Sequence, residues 1–167
     1  LLILIVILVY IVMATQFESL KFPFIIMFTI PFAFTGVFLA LWMTSTPLSL
    51  IALIGAIMLV GIVTKNGIVM VDYMNLLVER GSGVFDAVIA GGKSRLRPVL
   101  MTSFTTILGM LPLAIGTGAG SETWQPMGIA VIGGLTFSTI LTLFIVPVLY
   151  SILVNRSQRK EREKLAR

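Results

Sequence analysis

The chain has 167 residues, 57% of them apolar and only 11% charged, with a mean hydropathy of +1.07. A soluble domain carries about 25% charged residues, so this composition excludes a soluble globular surface and asks for several membrane spans. The 12 Lys+Arg against 7 Asp+Glu give a net charge of +5, but the basic residues are clustered between oily stretches and do not form a nucleic-acid surface. With neither Cys nor His present, most zinc sites, thiol redox chemistry and His-assisted nucleophiles are excluded as well.

The opening run, residues 1–14 and extending toward Phe17, is apolar with no basic flank before it, unlike a signal peptide. It reads as a marginal or truncated transmembrane helix, and the chain as a segment of a longer protein. Spans follow at 22–44, at 48–74, which holds Lys65 and Asp72, at 98–116 and at 127–154. Lipid offers the backbone no hydrogen-bond partners, so such runs must be helices or closed barrels. Without period-two alternation they are helices, and the fold class is an all-α polytopic bundle. Pro23 and Pro98 are expected at helix starts, and Pro31, Pro112 and Pro147 are expected to kink their spans. The connection 79–97 contains GSGVFDAVIAGG, which predicts a short interfacial helix with Val84, Phe85, Val88 and Ile89 on one face. Gly91 and Gly92 are expected to end that helix. Residues 117–126 read as a flexible turn, and 155–167 as a basic tail anchored at the inner leaflet. Gly36 with Ala40 and Ala130 with Gly134 have the spacing of close helix packing, as does Gly61 with Lys65.

The basic residues orient the bundle. The connection at 15–21 holds one, the connection at 79–97 holds four (Arg80, Lys93, Arg95, Arg97), and the tail holds six. The two connections on the opposite side hold none, leaving Lys65 inside a span. The positive-inside rule then puts the basic side and the C-terminus in the cytoplasm. Parity puts Leu1 at the outer face, so an extracytoplasmic segment is expected before it.

Lys65 is the residue that demands an explanation. A lysine at the centre of a span costs about 2.5–3.5 kcal/mol on insertion scales and usually faces a partner inside the bundle. Asp72 lies seven residues on, close to the same face but roughly 10 Å further along the axis, too far for a short ion pair. No other carboxylate lies in a span, so the counter-charge is expected outside this chain. The hydroxyls of Thr102, Ser103, Thr105 and Thr106 either face Lys65 or bond back to their own helix. Arg95 and Arg97 either act in the site or anchor the inner interface.

Three stretches together resemble the resistance–nodulation–division (RND) superfamily of exporters, in particular its hydrophobe/amphiphile efflux branch of the AcrB type. They are the run from Gly61 through Lys65 and Asn66 to Asp72, the run from Arg95 through Arg97-Pro98 and Thr102-Ser103 to Pro112, and the run from Gly118 through Gly128, Gly133-Gly134 and Val146-Pro147 to Tyr150. Gln16-Phe-Glu18-Ser fits the first hairpin. The resemblance implies that the chain is the last five helices of a twelve-helix protomer, preceded by a large extracytoplasmic domain. It implies a proton relay in which Lys65 pairs with two aspartates on the family's fourth helix, assisted by Arg95 and Thr102, with Asn66 and Asp72 as possible supports. The driving force would be the proton motive force, without a cofactor or metal. The expected partners are the missing N-terminal part of the chain, two further copies in a homotrimer, membrane lipid, and a periplasmic adaptor with an outer-membrane channel. The expected location is the cytoplasmic membrane. The context of Lys65 favours organic cargo over a heavy-metal or lipid exporter of the same superfamily. A membrane scaffold is the alternative from another class. An intramembrane enzyme fits worst, since paired carboxylates are lacking.

Overall fold

The computed structural model describes the backbone of residues 2–165 and the side chains of residues 3–156. Six helices follow in order: α1 (Leu2–Phe17), α2 (Lys21–Met27), α3 (Ile30–Met43), α4 (Leu50–Glu79), α5 (Val84–Ile115) and α6 (Ser121–Leu165). The fold is all-α and polytopic. Among the described residues four stretches are long and apolar enough to cross a membrane: Lys21–Met43, Leu50–Glu79, Val84–Ile115 and Ser121–Arg156. Ile3–Phe17 is a shorter apolar helix.

Local chemistry explains the breaks. Pro31 has no N–H to give to Met27, and the span at 21–43 is divided there into α2 and α3. The two residues between stay in helical geometry, with the Thr29 N–H donating to Ile26 O at 3.0 Å. Ser49 caps α4, its Oγ accepting from the Ala52 N–H at 3.2 Å. Gly116, at φ +69, ends α5 in the left-handed conformation and donates its N–H to Pro112 O.

Three expected boundaries move. Pro98 lies inside α5, not at a helix start. The carbonyl it leaves without a donor belongs to Ser94, which is exposed, so the interruption is tolerated. Gly91 and Gly92 do not end a helix either. Gly91 is buried, and a Cβ there would stand 2.6 Å from Met74 Cγ, so its small size lets α5 approach α4. The interfacial segment is therefore the first part of one long helix, and its apolar residues divide: Val84 is buried, while Phe85 and Ile89 are exposed. At the other end, α6 begins at Ser121, inside the expected turn, and carries Pro126 near its start. The backbone of the tail is helical to Leu165. The side chains expected to form the basic anchor, from Ser157 onward, lie outside the described residues, as does Leu1.

The central helix is α6, which packs on α3, α4 and α5. At one end Ala33 and Val37 of α3, Ala56 and Leu59 of α4, and Ala130 and Leu135 of α6 form a core. At the other end Met13 of α1, Ile26 of α2, Met70 and Met74 of α4, and Val146 and Tyr150 of α6 form a second. Lipid tails are as apolar as these side chains, so close packing and polar contacts must hold the helices together. The small-residue pairs supply the closeness. A Cβ on Gly36 would lie 2.6 Å from Phe137 Cβ and 2.8 Å from Gly133 O, and one on Gly134 would collide with Leu59.

Candidate ion-pair site on α4

One stripe of α4 is bare. Leu50, Ile54, Met58, Gly61, Lys65, Asp72 and Leu76 are exposed, three, four or seven residues apart, while the other faces of the helix pack. Lys65 is near the midpoint of the 30-residue helix. Among the described residues nothing bonds to it. It opens onto a cavity of about 410 Å³ between α1 and α4, beside Gly61 and Thr64 and facing Val12 and Gln16. A Cβ on Gly61 would meet nothing within 4 Å. The expectation that Lys65 faces the packed interior is therefore not met within this chain; the lysine faces the open side.

The other expected site residues are distributed around it. Asp72 shares the bare stripe. Asn66 does not; it is 8% exposed and turned into the bundle. Arg95 is half-buried on α5, its guanidinium 4.6 Å from the centre of the Tyr73 ring on α4. Such stacking contributes about 0.5–2 kcal/mol, depending on desolvation. The Arg95 Nε is buried without a hydrogen-bond partner among the described residues. Arg95 therefore sits at the level of Asp72, not of Lys65. Since α4 and α5 run antiparallel, the seven residues from Arg95 to Thr102 rise roughly 10 Å and bring Thr102 to about the depth of Lys65. Thr102 is exposed and its hydroxyl donates back to Pro98 O and Val99 O, at 3.1 and 2.9 Å. Back-bonding also takes Thr105 and Thr106.

Sequence reasoning missed the contacts that tie this region to α6. Ser103 Oγ meets Thr139 Oγ1 at 2.9 Å, both buried. Tyr150 Oη donates to Asn75 Oδ1 at 2.6 Å. Each pair is far apart in the chain, and no spacing rule links its members. Thr64 Oγ1 and Thr142 Oγ1 are buried and bond to nothing among the described residues.

A family model described as the AcrB/AcrD/AcrF family matches residues 1–154. The chain is 44% identical over 156 residues to the multidrug resistance protein MdtC of Erwinia tasmaniensis, covering 92% of this chain and 15% of that protein. It is 41% identical over 154 residues to the cobalt-zinc-cadmium resistance protein CzcA of Cupriavidus metallidurans, covering 92% and 14%. Among solved structures, the crystal structure of a heavy metal efflux pump matches with a TM-score of 0.84 at 32% identity, over 92% of this chain and 16% of that one. The chain thus spans between 14% and 16% of the length of these relatives.

Proposed function

The chain belongs to the AcrB/AcrD/AcrF family, within the RND superfamily, and from that premise we propose that it supplies the lysine-bearing half of a proton switch in an efflux transporter. One observation carries the reading: Lys65 stands mid-helix on a bare stripe of α4, with no ion-pair partner among the described residues. A lysine in that position is expensive in lipid, and such residues are kept where a partner and a function require them. The partner is a pair of aspartates on a helix outside this chain, seated against the bare stripe. When they are ionised they draw Lys65 toward them. Protonation cancels their charge and releases it. A buried ion pair switched by a proton has two discrete arrangements, and helix shifts between them drive the extracytoplasmic part of the transporter. Arg95 and Thr102 assist on α5; the hydroxyl of Thr102 must leave its own helix carbonyls to do so.

The same reading places the basic side and the C-terminus in the cytoplasm. It makes the working unit a homotrimer in the cytoplasmic membrane, joined to a periplasmic adaptor and an outer-membrane channel.

The test is made in the full-length transporter that carries this chain. Lys65→Ala should reduce proton-coupled export in proteoliposomes to background, with insertion and assembly unchanged. Thr102→Ala should leave a partial rate, because a hydroxyl contributes hydrogen bonding and no charge. Normal export by the lysine variant would sink the switch.

For cargo we propose organic amphiphiles. A second reading, metal cations, is favoured by the 41% identity to CzcA and by the match to a heavy metal efflux pump. Export of a fluorescent organic cation against export of Zn²⁺, from the same proteoliposomes, separates them.

A further inference from the structure

A cavity lies at the end of the bundle away from the basic residues, where α3 ends and α6 begins. It encloses about 710 Å³ between α3, α5 and α6, within the roughly 300–1,000 Å³ typical of sites for drug-sized ligands. Its walls are apolar, formed by Met43, Leu111, Ile115, Ile129 and Ile132. Its rim carries charge of one sign only, beside the hydroxyls of Thr44, Ser45 and Thr46. Glu122 lines it and is exposed. Gln125 lines it too; one N–H of its Nε2 donates to Ala114 O at 3.0 Å, and its side-chain oxygen can accept. No Lys or Arg lies in 43–50 or 113–126, the two segments that meet there. The chain's two tryptophans, Trp42 and Trp124, are exposed at this same end. Tryptophan concentrates at the headgroup level of a membrane, so the mouth opens where amphiphiles carry their heads.

We propose that this groove binds a single-chain amphiphile with an ammonium head, the tail between α3, α5 and α6 and the head against Glu122 and the Gln125 carbonyl. A carboxylate with no cation of its own nearby attracts a cation and repels an anionic head. The apolar walls need a tail to fill them. The site is separate from the lysine switch, and binding there does not depend on the switch being correct.

The probe is a dodecyl trimethylammonium carrying a photoreactive diazirine on its tail, added to the full-length transporter in phosphatidylcholine nanodiscs. Its concentration in the lipid is normalised against protein-free nanodiscs. The expected result is labelling at Leu111, Ile115 or Ile132, competed by unlabelled dodecyl trimethylammonium and not by dodecyl sulfate. Glu122→Gln should weaken half-maximal competition by up to about fivefold, the upper end for an exposed charge pair. Leu111→Trp, which puts bulk into the groove, should remove the labelling while insertion stays normal. Equal competition by the anionic and cationic detergents, an unchanged response in the Glu122 variant, or labels spread evenly over lipid-facing residues such as Phe144 and Ile152 would each overturn the proposal.

Discussion

Lys65 and Asn66 are covalent neighbours on different faces of α4, one on open surface and the other in the bundle. The helical step of roughly 100° between residues produces that division, and it decides which polar groups can act together. Lys65 belongs with Gly61 and Asp72; Asn66 belongs with the packed side of the bundle. The same logic sorts the hydroxyls of α5. Four were candidates to face the lysine, but Thr102, Thr105 and Thr106 return to their own helix carbonyls, and only Ser103 crosses to another helix. Interhelical hydrogen bonds in membranes average about 0.6 kcal/mol and reach about 1.7 kcal/mol. A double-mutant cycle of Ser103→Ala and Thr139→Ala should therefore give a coupling in that range, read from unfolding in mixed micelles. A coupling near zero would mean that both hydroxyls are satisfied within their own helices. Composition and charge singled out Lys65 from the sequence because a charge in a span is conspicuous. Ser103–Thr139, Tyr150–Asn75 and Arg95 over Tyr73 were not legible, because each depends on helix register and rotation.

At the level of elements, the apolar runs, an irregularity at Pro31 (expected as a kink, found as a break) and the small-residue pairs were readable, since each follows from local chemistry. The pairs on α3 and α6 turn out to be seated on each other, Gly36 against Gly133 and Phe137. Gly36→Val would drive its branches into that backbone contact. Overpacking of this kind costs about 1–3 kcal/mol, and the variant should unfold at lower temperature in detergent. An unchanged midpoint would show that α3 and α6 can move apart freely. The position of Pro98 was misread for an instructive reason. A proline removes one donor, and whether a helix survives that loss depends on where the orphaned carbonyl lies. Near the basic end of α5 it lies on exposed surface, so the helix continues. Gly91 was misread as a stop for a related reason: a glycine that ends a helix and one that admits a neighbouring helix look alike until the neighbour is known. Gly61 is the remaining case, a small residue beside Lys65 with nothing against it in this chain. In the proposed transporter that space is taken by the aspartate-bearing helix.

For the whole molecule, the charge distribution reads as a statement about sides. Basic residues gather where α1 meets α2, where α4 meets α5 and in the tail, while Glu122 is the one charge at the opposite end. α5 makes the inference testable without any count of spans. Its 32 residues rise roughly 48 Å, more than the approximately 30 Å of a bilayer core. If α5 crosses, the turn before it and the turn after it lie on different sides. The chain has no cysteine, so single cysteines can be placed in it without background from its own residues. Gly83→Cys sits just before α5 at an exposed position with φ −59, which any residue adopts. Thr123→Cys sits in the first turn of α6, also exposed. In a full-length transporter freed of other reactive cysteines, a membrane-impermeant maleimide should label Thr123→Cys in right-side-out vesicles. It should label Gly83→Cys only in inverted ones. Labelling of both from the same side would mean that α5 does not cross. The positive-inside orientation would fall with it, and the depth of Lys65 in the membrane, on which the switch depends, would have to be abandoned. The opposite pattern, with Gly83→Cys reached from outside, would keep the span and reverse the bundle. The ammonium-binding groove would then open toward the cytoplasm.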